Sequence, residues 1–563
     1  MARTKRILDS VHGNIYIDRD LFAKIIDTPE FQRLRRIEQT STRSIFPSAR
    51  HDRFIHSIGV YHIGNLITTQ LKASRLDVLG IEPAVYESII KSYHIACLLH
   101  DIGHAPFSHT FEKYFGEPPY EDPLGKNELK KDLLTALNTL YQLHPNAIHI
   151  EEREIYHAKC DSNYHELTSA IIAVQRFNDI IPCIDNHRYN NVEFVARMII
   201  GCTYLNHTDE VEVQIRNCFI SMLHGGIIDA DRLDYVCRDV WASGYCTSSV
   251  DIERLISGLY IEKDEVTEKY EVCFHSNVLN EIESVLDVKD FQVKYILNHH
   301  SVILEQYFLE QAALQMALEF TNIPNLQDNI LDKEKELSSI LRWNVLTKDG
   351  ISINKILIKD KPLNINYITD DDLVTLMKIS DNDYYKRWAS RQYNFVTIWK
   401  TRDEFFYHFQ FPRDIILGSE KTFKTNIMPN LKRQGFDDDD VLILKARYKP
   451  RVELDSLKIR VATGKLIKYT DLYRENAYSD FVKSSISSSR SQVFYYLYIK
   501  ADKFPPIGQN GNADDRNKRR EEIMQSLKID IEKAYRAQIF IYNLISWMLE
   551  LLKKAQESIR PKK

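Results

Sequence analysis

The apolar residues Tyr86, Ile89, Ile90, Tyr93 and Cys97 recur three and four positions apart, and the same stripe is continued by His100, with Asp101 directly after it. That spacing defines one face of an α-helix. A helix that ends by turning an imidazole and a carboxylate into an apolar interior constrains the fold strongly, because buried polar groups need partners. A second helical stretch, with Arg53, His56, Gly59, Ile63 and Ile67 at similar spacing, presents His56 to the same interior. Seven of the 19 histidines (His51, His56, His62, His94, His100, His104, His109) fall between His51 and Glu112, where even scatter would place about two.

His100 and Asp101 differ by about 100° around a helix. A metal lying between their directions can take a nitrogen from one and an oxygen from the other, and mixed N/O ligation suits Mn, Fe, Zn or Mg. A further carboxylate is expected from Gly225 to Asp239, GGIIDADRLDYVCRD, where spacing leaves Asp229, Asp231 and Asp234 open. Standing alone, that segment reads as a helix cap at Asp229 with surface pairing to Arg232 or Arg238.

From about Thr28 to Val302 the periodicity is largely helical, with long segments such as Val85 to Leu99 and Val192 to Leu205. Asp122 to Asn163 reads as a polar insertion holding one short helix, Leu134 to Leu143. Shorter β-type runs follow at Val441 to Arg447, Val452 to Val461 and Gln492 to Tyr498, with a turn at Gly464. The predicted fold is mainly α, a helical core followed by an α+β C-terminal region. The expected divisions are a core over 1–330 with an insertion at about 117–163, an α+β lobe over 331–502, a loop or linker over 503–522 and a C-terminal helix over 523–563. Asp437 to Asp440 reads as a solvated turn or helix start.

A length of 563 residues implies more than one structural unit. A net charge of -5 supplies no general basic field, so nucleic-acid binding is not predicted, although Lys518 to Arg520 and Lys553 to Lys554 are local basic stretches. Eight scattered cysteines without CxxC pairs fit reduced, packed thiols. The apolar segment Ala537 to Leu552 is interrupted by Gln538, Asn543, Ser546 and Glu550, so it reads as a packing helix rather than a membrane span. A soluble, cytoplasmic protein without a membrane partner is expected.

Six ordered blocks carry a family resemblance: VHGNIYI (Val11 to Ile17), IIDTPEFQRLRRIEQ (Ile25 to Gln39), FPSARHDRFIHSIGV (Phe46 to Val60), LLHDIGHAPFSHTFE (Leu98 to Glu112), YHELTSA (Tyr164 to Ala170) and IDADRLDYVCRD (Ile228 to Asp239). The pattern H…HD…D resembles the HD phosphohydrolase superfamily. Within it, the blocks resemble the deoxynucleoside triphosphate triphosphohydrolases, both the vertebrate SAM and HD domain type and the bacterial dGTPase-like type, without a SAM domain here.

The resemblance implies a divalent metal (Mn, Mg, Fe or Zn) held by His56, His100, Asp101 and Asp231, and hydrolysis of a dNTP to deoxynucleoside and triphosphate. It implies catalytic or phosphate-facing roles for His104, His109 and His165, with Glu112 orienting His109 where the family usually has Asp. Arg53 and Arg232 match phosphate-contacting positions, and Gln39, Tyr235 and Asp239 match the sugar pocket. Asn298 and His299 stand where the family carries a Tyr-Gln pair, and Asp290 falls where it carries an Arg, so substrate choice does not transfer. Lys5, Asp27, Gln32 and Arg35 match an allosteric nucleotide site, although Ser301 replaces a Lys of its second half. A homo-oligomer, dimer or tetramer, is implied, with a role in dNTP pool control or antiviral defence. The alternatives are an HD phosphohydrolase acting on another nucleotide, and a nucleotide-sensing or nucleic-acid-binding protein whose catalysis is lost or secondary.

Overall fold

The computed structural model describes residues 4–73, 80–116, 124–142, 149–157, 162–184, 187–225, 228–245, 250–320, 330–409, 420–448, 457–474, 492–506 and 514–531. Two contact-defined units emerge. The larger holds Met1–Gln292, Phe308–Ser390 and Glu453–Val482, and the smaller holds Val293–Tyr307, Arg391–Val452 and Lys483–Lys563. The units interleave along the chain, whereas the expected divisions ran consecutively.

The larger unit is built on packed helices. Arg53–Ala73 packs on Pro83–Leu99 and on Ala230–Ser243, and Asn191–Ile200 packs on Pro83–Leu99 and Tyr164–Arg176. The stripe from Ile89 to Cys97 is fully or almost fully buried, as its spacing requires. At Gly64 the first two helices come so close that a Cβ would lie 2.8 Å from Cys97 Sγ. His56 shares the Val60 and Gly64 face of its helix at four-residue steps, so this close crossing aims it at the end of the Pro83–Leu99 helix.

Two helices differ in length from the sequence reading. The Val192 to Leu205 stretch is helical only within Asn191–Ile200, because Gly201 takes φ +66 and ends it with a left-handed cap. The insertion helix is longer than expected, Leu124–Tyr141, and Leu143 lies outside the described residues. Its i,i+4 apolar positions Leu129, Leu133 and Leu137 are buried, which extends the helix beyond the segment first recognised.

Small sheets complete the units. An N-terminal antiparallel hairpin pairs Thr4–Asp9 with Gly13–Asp18, and a second hairpin pairs Ile351–Ile358 with Lys361–Ile365. A four-stranded sheet runs in the order Leu466–Lys468, Lys458–Arg460, Tyr270–His275, Leu259–Lys263, with its middle pair parallel. In the smaller unit Gln492–Lys500 lies between Phe395–Thr397 and Val441–Tyr448. The runs at 441–447 and 492–498 are therefore strands. Of the 452–461 run only Lys458–Arg460 is a strand, its first residues lying outside the described ones.

Gly464 makes the expected turn at φ +85. Asp437 and Asp440 form a capping box around a single 3-10 turn, a local role for the acidic run. Helix is already present from 514 to 531, earlier than the expected start at 523. Ala537 to Leu552 and Lys553 to Lys554 lie outside the described residues. Among the described residues no helix is long and apolar enough to cross a membrane.

Candidate metal centre and its histidine cluster

The Pro83–Leu99 helix stops at His100, whose Nδ1–H donates to the Cys97 carbonyl at 2.9 Å. A carbonyl can only accept, so the proton is on Nδ1 and the Nε2 lone pair faces inward. His56 stands in the first turn of Arg53–Ala73 and gives its Nδ1–H to Asp234 Oδ2 at 2.7 Å. Its Nε2 lies 3.3 Å from His100 Nε2. Asp101 Oδ2 is 3.4 Å from His56 Nε2 and 3.6 Å from His100 Nε2. Asp231 Oδ1 approaches the same two nitrogens at 3.0 and 3.6 Å.

This donor set fits a divalent cation. Two imidazole lone pairs and two carboxylate oxygens converge, an arrangement of acceptors that repels itself unless a positive charge lies among them. Ligands at about 2.0–2.2 Å from a shared ion stand roughly 3–3.6 Å apart, which is the spacing seen here. The protonation of the cluster expresses the same demand. Burial pushes His56 down, but the carboxylates of Asp231, Asp234 and Asp101 outweigh it and raise His56 to about 10. Burial likewise opposes ionisation of Asp231, and the two imidazoles more than reverse it. His56, His100 and Asp101 form the tight group, with donor atoms within 4.8 Å of one another.

The three open carboxylates of the 225–239 segment separate by position on one helix. Asp229 caps Ala230–Ser243, accepting from the Arg232 amide. Asp231, in the first turn and 38% exposed, faces the imidazoles. Asp234 is fully buried behind His56.

Beyond His100 the chain turns sharply. Phe107 and Ser108 adopt successive positive φ values of 57 and 48, a costly conformation for residues other than glycine. It is held by Asp370 Oδ1, which accepts the Phe107 amide at 2.8 Å, and by Ser108 Oγ, which donates to the Glu38 carbonyl at 2.6 Å. Arg33 adds donors to the Ile102 and His104 carbonyls. Gly103 serves a close approach, since a Cβ there would lie 2.3 Å from the Ser169 amide nitrogen.

The turn assembles a second cluster. Glu112 Oε2 accepts His109 Nδ1–H at 2.7 Å, and its Oε1 accepts His165 Nδ1–H at 2.6 Å. The His104 and His165 rings stack at 4.1 Å, and the His109 ring stands edge-on to both. His104 is fully buried, its Nε2 3.2 Å from Asp101 Oδ1 without hydrogen-bond geometry. His109 is 59% exposed. Burial lowers His165, but the Glu112 charge and hydrogen bond prevail and raise it to about 9. Glu112 itself is held well below the carboxylate range, because the two imidazoles outweigh its burial.

The structure places the remaining predicted residues less uniformly. Arg53 does not present an open guanidinium: it donates to Asp101 Oδ2, Ser108 Oγ and the Gln39 carbonyl, at 2.5, 3.0 and 3.2 Å. Arg232 is partly exposed and donates to Tyr235 Oη at 3.1 Å. Asp239 is buried between His51 and Gln292, while Gln39 Oε1 is buried without a hydrogen-bond partner. Lys5 and Asp27 form an exposed ion pair at 3.4 Å, and Arg35 donates to Gln32 Oε1 at 2.9 Å. Sequence reasoning missed Asp9, His12, Gln292 and the Arg33 and Asp370 clamps, and counted His51 in the histidine cluster without giving it a role. His12 and Asp234 both lay inside recognised blocks, and the i,i+4 spacing of Asp234 and Arg238 was the available signal.

Residues 53–154 match the HD domain family model. The chain is 25% identical over 392 residues to the deoxynucleoside triphosphate triphosphohydrolase SAMHD1 homolog of Dictyostelium discoideum, covering 69% of this chain and 63% of that protein. It is 43% identical over 108 residues to SAMHD1 of Gallus gallus, covering 19% of this chain and 17% of that protein. An uncharacterized protein of Mycoplasma genitalium is 28% identical over 281 residues, 49% of this chain and 52% of that protein. The chain thus spans less than two thirds of the length of each of these relatives. A crystal structure of a phosphohydrolase from Bacteroides thetaiotaomicron shares the fold, with TM-score 0.52 and 18% identity over 88% of this chain and 99% of that one. The chain thus carries an HD domain at residues 53–154 and is similar, over part of its length, to the deoxynucleoside triphosphate triphosphohydrolases.

Proposed function

We propose that the protein hydrolyses deoxynucleoside triphosphates to deoxynucleoside and triphosphate, using a divalent cation held by His56, His100, Asp101 and Asp231. The convergence of these four side chains carries the proposal, with the six sequence blocks and the SAMHD1 relatives in support. Bound there, such an ion would supply Lewis acidity toward a phosphate oxygen and an acidified water.

The protein groups supply the rest. Arg53 keeps Asp101 ionised and aimed, since its guanidinium is the first charge opposing the burial of that carboxylate. In the reaction a water oxygen adds to the α-phosphorus, the bond to the 5′ oxygen breaks, and that oxygen takes a proton. His109 is suited to give it from Nε2, because Glu112 fixes its Nδ1–H and its ring is exposed. His165, protonated at neutral pH, offers positive charge to the phosphates. Arg232 with Tyr235, and Gln39 with Asp239, are the proposed phosphate and sugar contacts. Lys5, Asp27, Gln32 and Arg35 support a regulatory nucleotide site, and with it a regulated homo-oligomer acting on dNTP pools or in antiviral defence.

The test incubates the purified chain with each dNTP and rNTP, with Mn, Mg or Fe, singly and in nucleotide pairs, reading tripolyphosphate, nucleoside and oligomer size. Tripolyphosphate release lost in His100→Ala and Asp101→Ala is expected. Orthophosphate as the sole product, or release that survives both changes, sinks the proposal.

A further inference from the structure

The N-terminal hairpin turns on Asp9. Its Oδ1 accepts the amides of Val11 and His12 at 2.9 and 2.7 Å, and Gly13, at φ +72, returns the chain into Gly13–Asp18. The turn directs His12 inward, where its Nε2–H donates to Asp234 Oδ1 at 2.6 Å. Asp9 Oδ2 meanwhile accepts Arg238 NH1 at 2.8 Å. Arg238 forks onto Asp234, Nε to Oδ2 and NH2 to Oδ1, both at 2.8 Å. The remaining donor to Asp234 is His56 Nδ1–H.

This network does more than neutralise a buried charge, for which one guanidinium on one carboxylate would suffice. Asp9 and Asp234 are two carboxylates sharing one guanidinium, and all three are 4% exposed or less. The uncompensated negative charge lies beside His56, at the Nδ1 edge of the ring and away from the converging donors, where it raises the basicity of Nε2 toward a cation. Space is reserved for it. A Cβ on Gly59 would lie 1.9 Å from Asp234 Oδ1 and 2.5 Å from Arg238 NH2, so the helix carrying His56 has no side chain where the carboxylate sits.

We propose that Asp234, held by Arg238 and His12, is the positioning residue of the metal centre. It locks His56 with Nε2 directed at the ion, and through His12 and Asp9 it makes the Thr4–Asp18 hairpin part of that centre. The inference rests on the metal-centre reading above, and its test is arranged so that the two fail separately.

The full chain is titrated with Co²⁺ against a competing chelator, following the visible d–d absorption, and each variant is melted in excess EDTA to check its fold. Asp234→Asn keeps the shape and removes the charge. It is expected to weaken Co²⁺ binding about 10–100-fold and to alter the absorption band. His12→Phe is expected to weaken binding by about threefold or more, and exposed Glu253→Gln to leave affinity and spectrum unchanged. If His56→Ala and His100→Ala bind Co²⁺ as the parent does, the metal-centre reading falls. If those two lose the ion while Asp234→Asn, melting normally, keeps the parent affinity and band, the positioning role is overturned. Should Asp234→Asn not fold, His12→Phe decides: parent-like affinity overturns the proposal, and weakened affinity with a normal melt supports it.

Discussion

Arg53 NH1 lies 2.5 Å from Asp101 Oδ2, with both side chains no more than 4% exposed. The same guanidinium reaches Ser108 in the strained turn and the main chain of Gln39, so one planar fork joins a proposed ligand, the histidine-bearing loop and the segment proposed to contact the sugar. A lysine is a point charge and cannot span three acceptors. Arg53→Lys is expected to fold and to lower kcat at least tenfold. Arg53→Met leaves Asp101 buried without its partner and is expected to cost ~3–5 kcal/mol. Steady-state kinetics and urea unfolding check the two outcomes.

Glu112 holds two imidazoles through separate oxygens. A glutamine offers one acceptor and one donor, so Glu112→Gln must release or flip one of the rings. The expected result is a fall in kcat of ~100-fold or more, since the proton donor His109 and the cationic His165 both lose their fixed partner. An unchanged kcat would remove His109 from the proton path.

The helical core was legible because its signal is local. The stripes from Tyr86 to His100 and from Arg53 to Ile67 need only one helix period to be read, and the structure brings His100 and His56 within 3.3 Å of one another. Which of Asp229, Asp231 and Asp234 faces those imidazoles could not be read from spacing. All three sit at the start of one helix, and the answer depends on how that helix crosses Arg53–Ala73. The over-long Val192 to Leu205 helix has a different cause: apolar residues continue past Gly201, and only its left-handed backbone stops the helix. The four-stranded sheet was hidden because Tyr270–His275 pairs with Lys458–Arg460, a partner remote in sequence, and three-residue strands carry almost no period-two signal. Arg53 was assigned to phosphate by its match to the family, and the structure shows its donors already engaged within the protein.

Arg197 explains how the insertion is fastened to the core. Its Nε pairs with Glu193 at 2.7 Å and its NH2 with Glu154 at 2.9 Å, all three side chains being 2% exposed or less. Tyr141 Oη and the Ile150 amide both donate to Glu193, and the Leu205 amide donates to Glu154. Arg197→Met strands two buried carboxylates and is expected to destabilise the chain by ~3–5 kcal/mol. The denaturant midpoint measures this, and a shift under 1 kcal/mol would show that the insertion is anchored elsewhere.

His94 supplies an acid-sensitive contribution to stability. Its Nε2 meets Thr68 Oγ1 at 2.9 Å, Tyr61 packs edge-on at 5.6 Å, and burial, reinforced by Lys72, lowers it from 6.5 to about 4. Between those values the unfolded chain binds a proton that the folded chain refuses, so folding stability rises with pH. The contribution is complete above pH 6.5 and is lost as pH falls toward 4, worth at most about 3 kcal/mol. His94→Phe has no proton to bind in either state. Urea unfolding at intervals from pH 7 to pH 4 is therefore expected to show a shallower decline in the variant than in the parent, whatever the substitution costs at pH 7; parallel curves would mean that His94 accepts its proton in the folded protein.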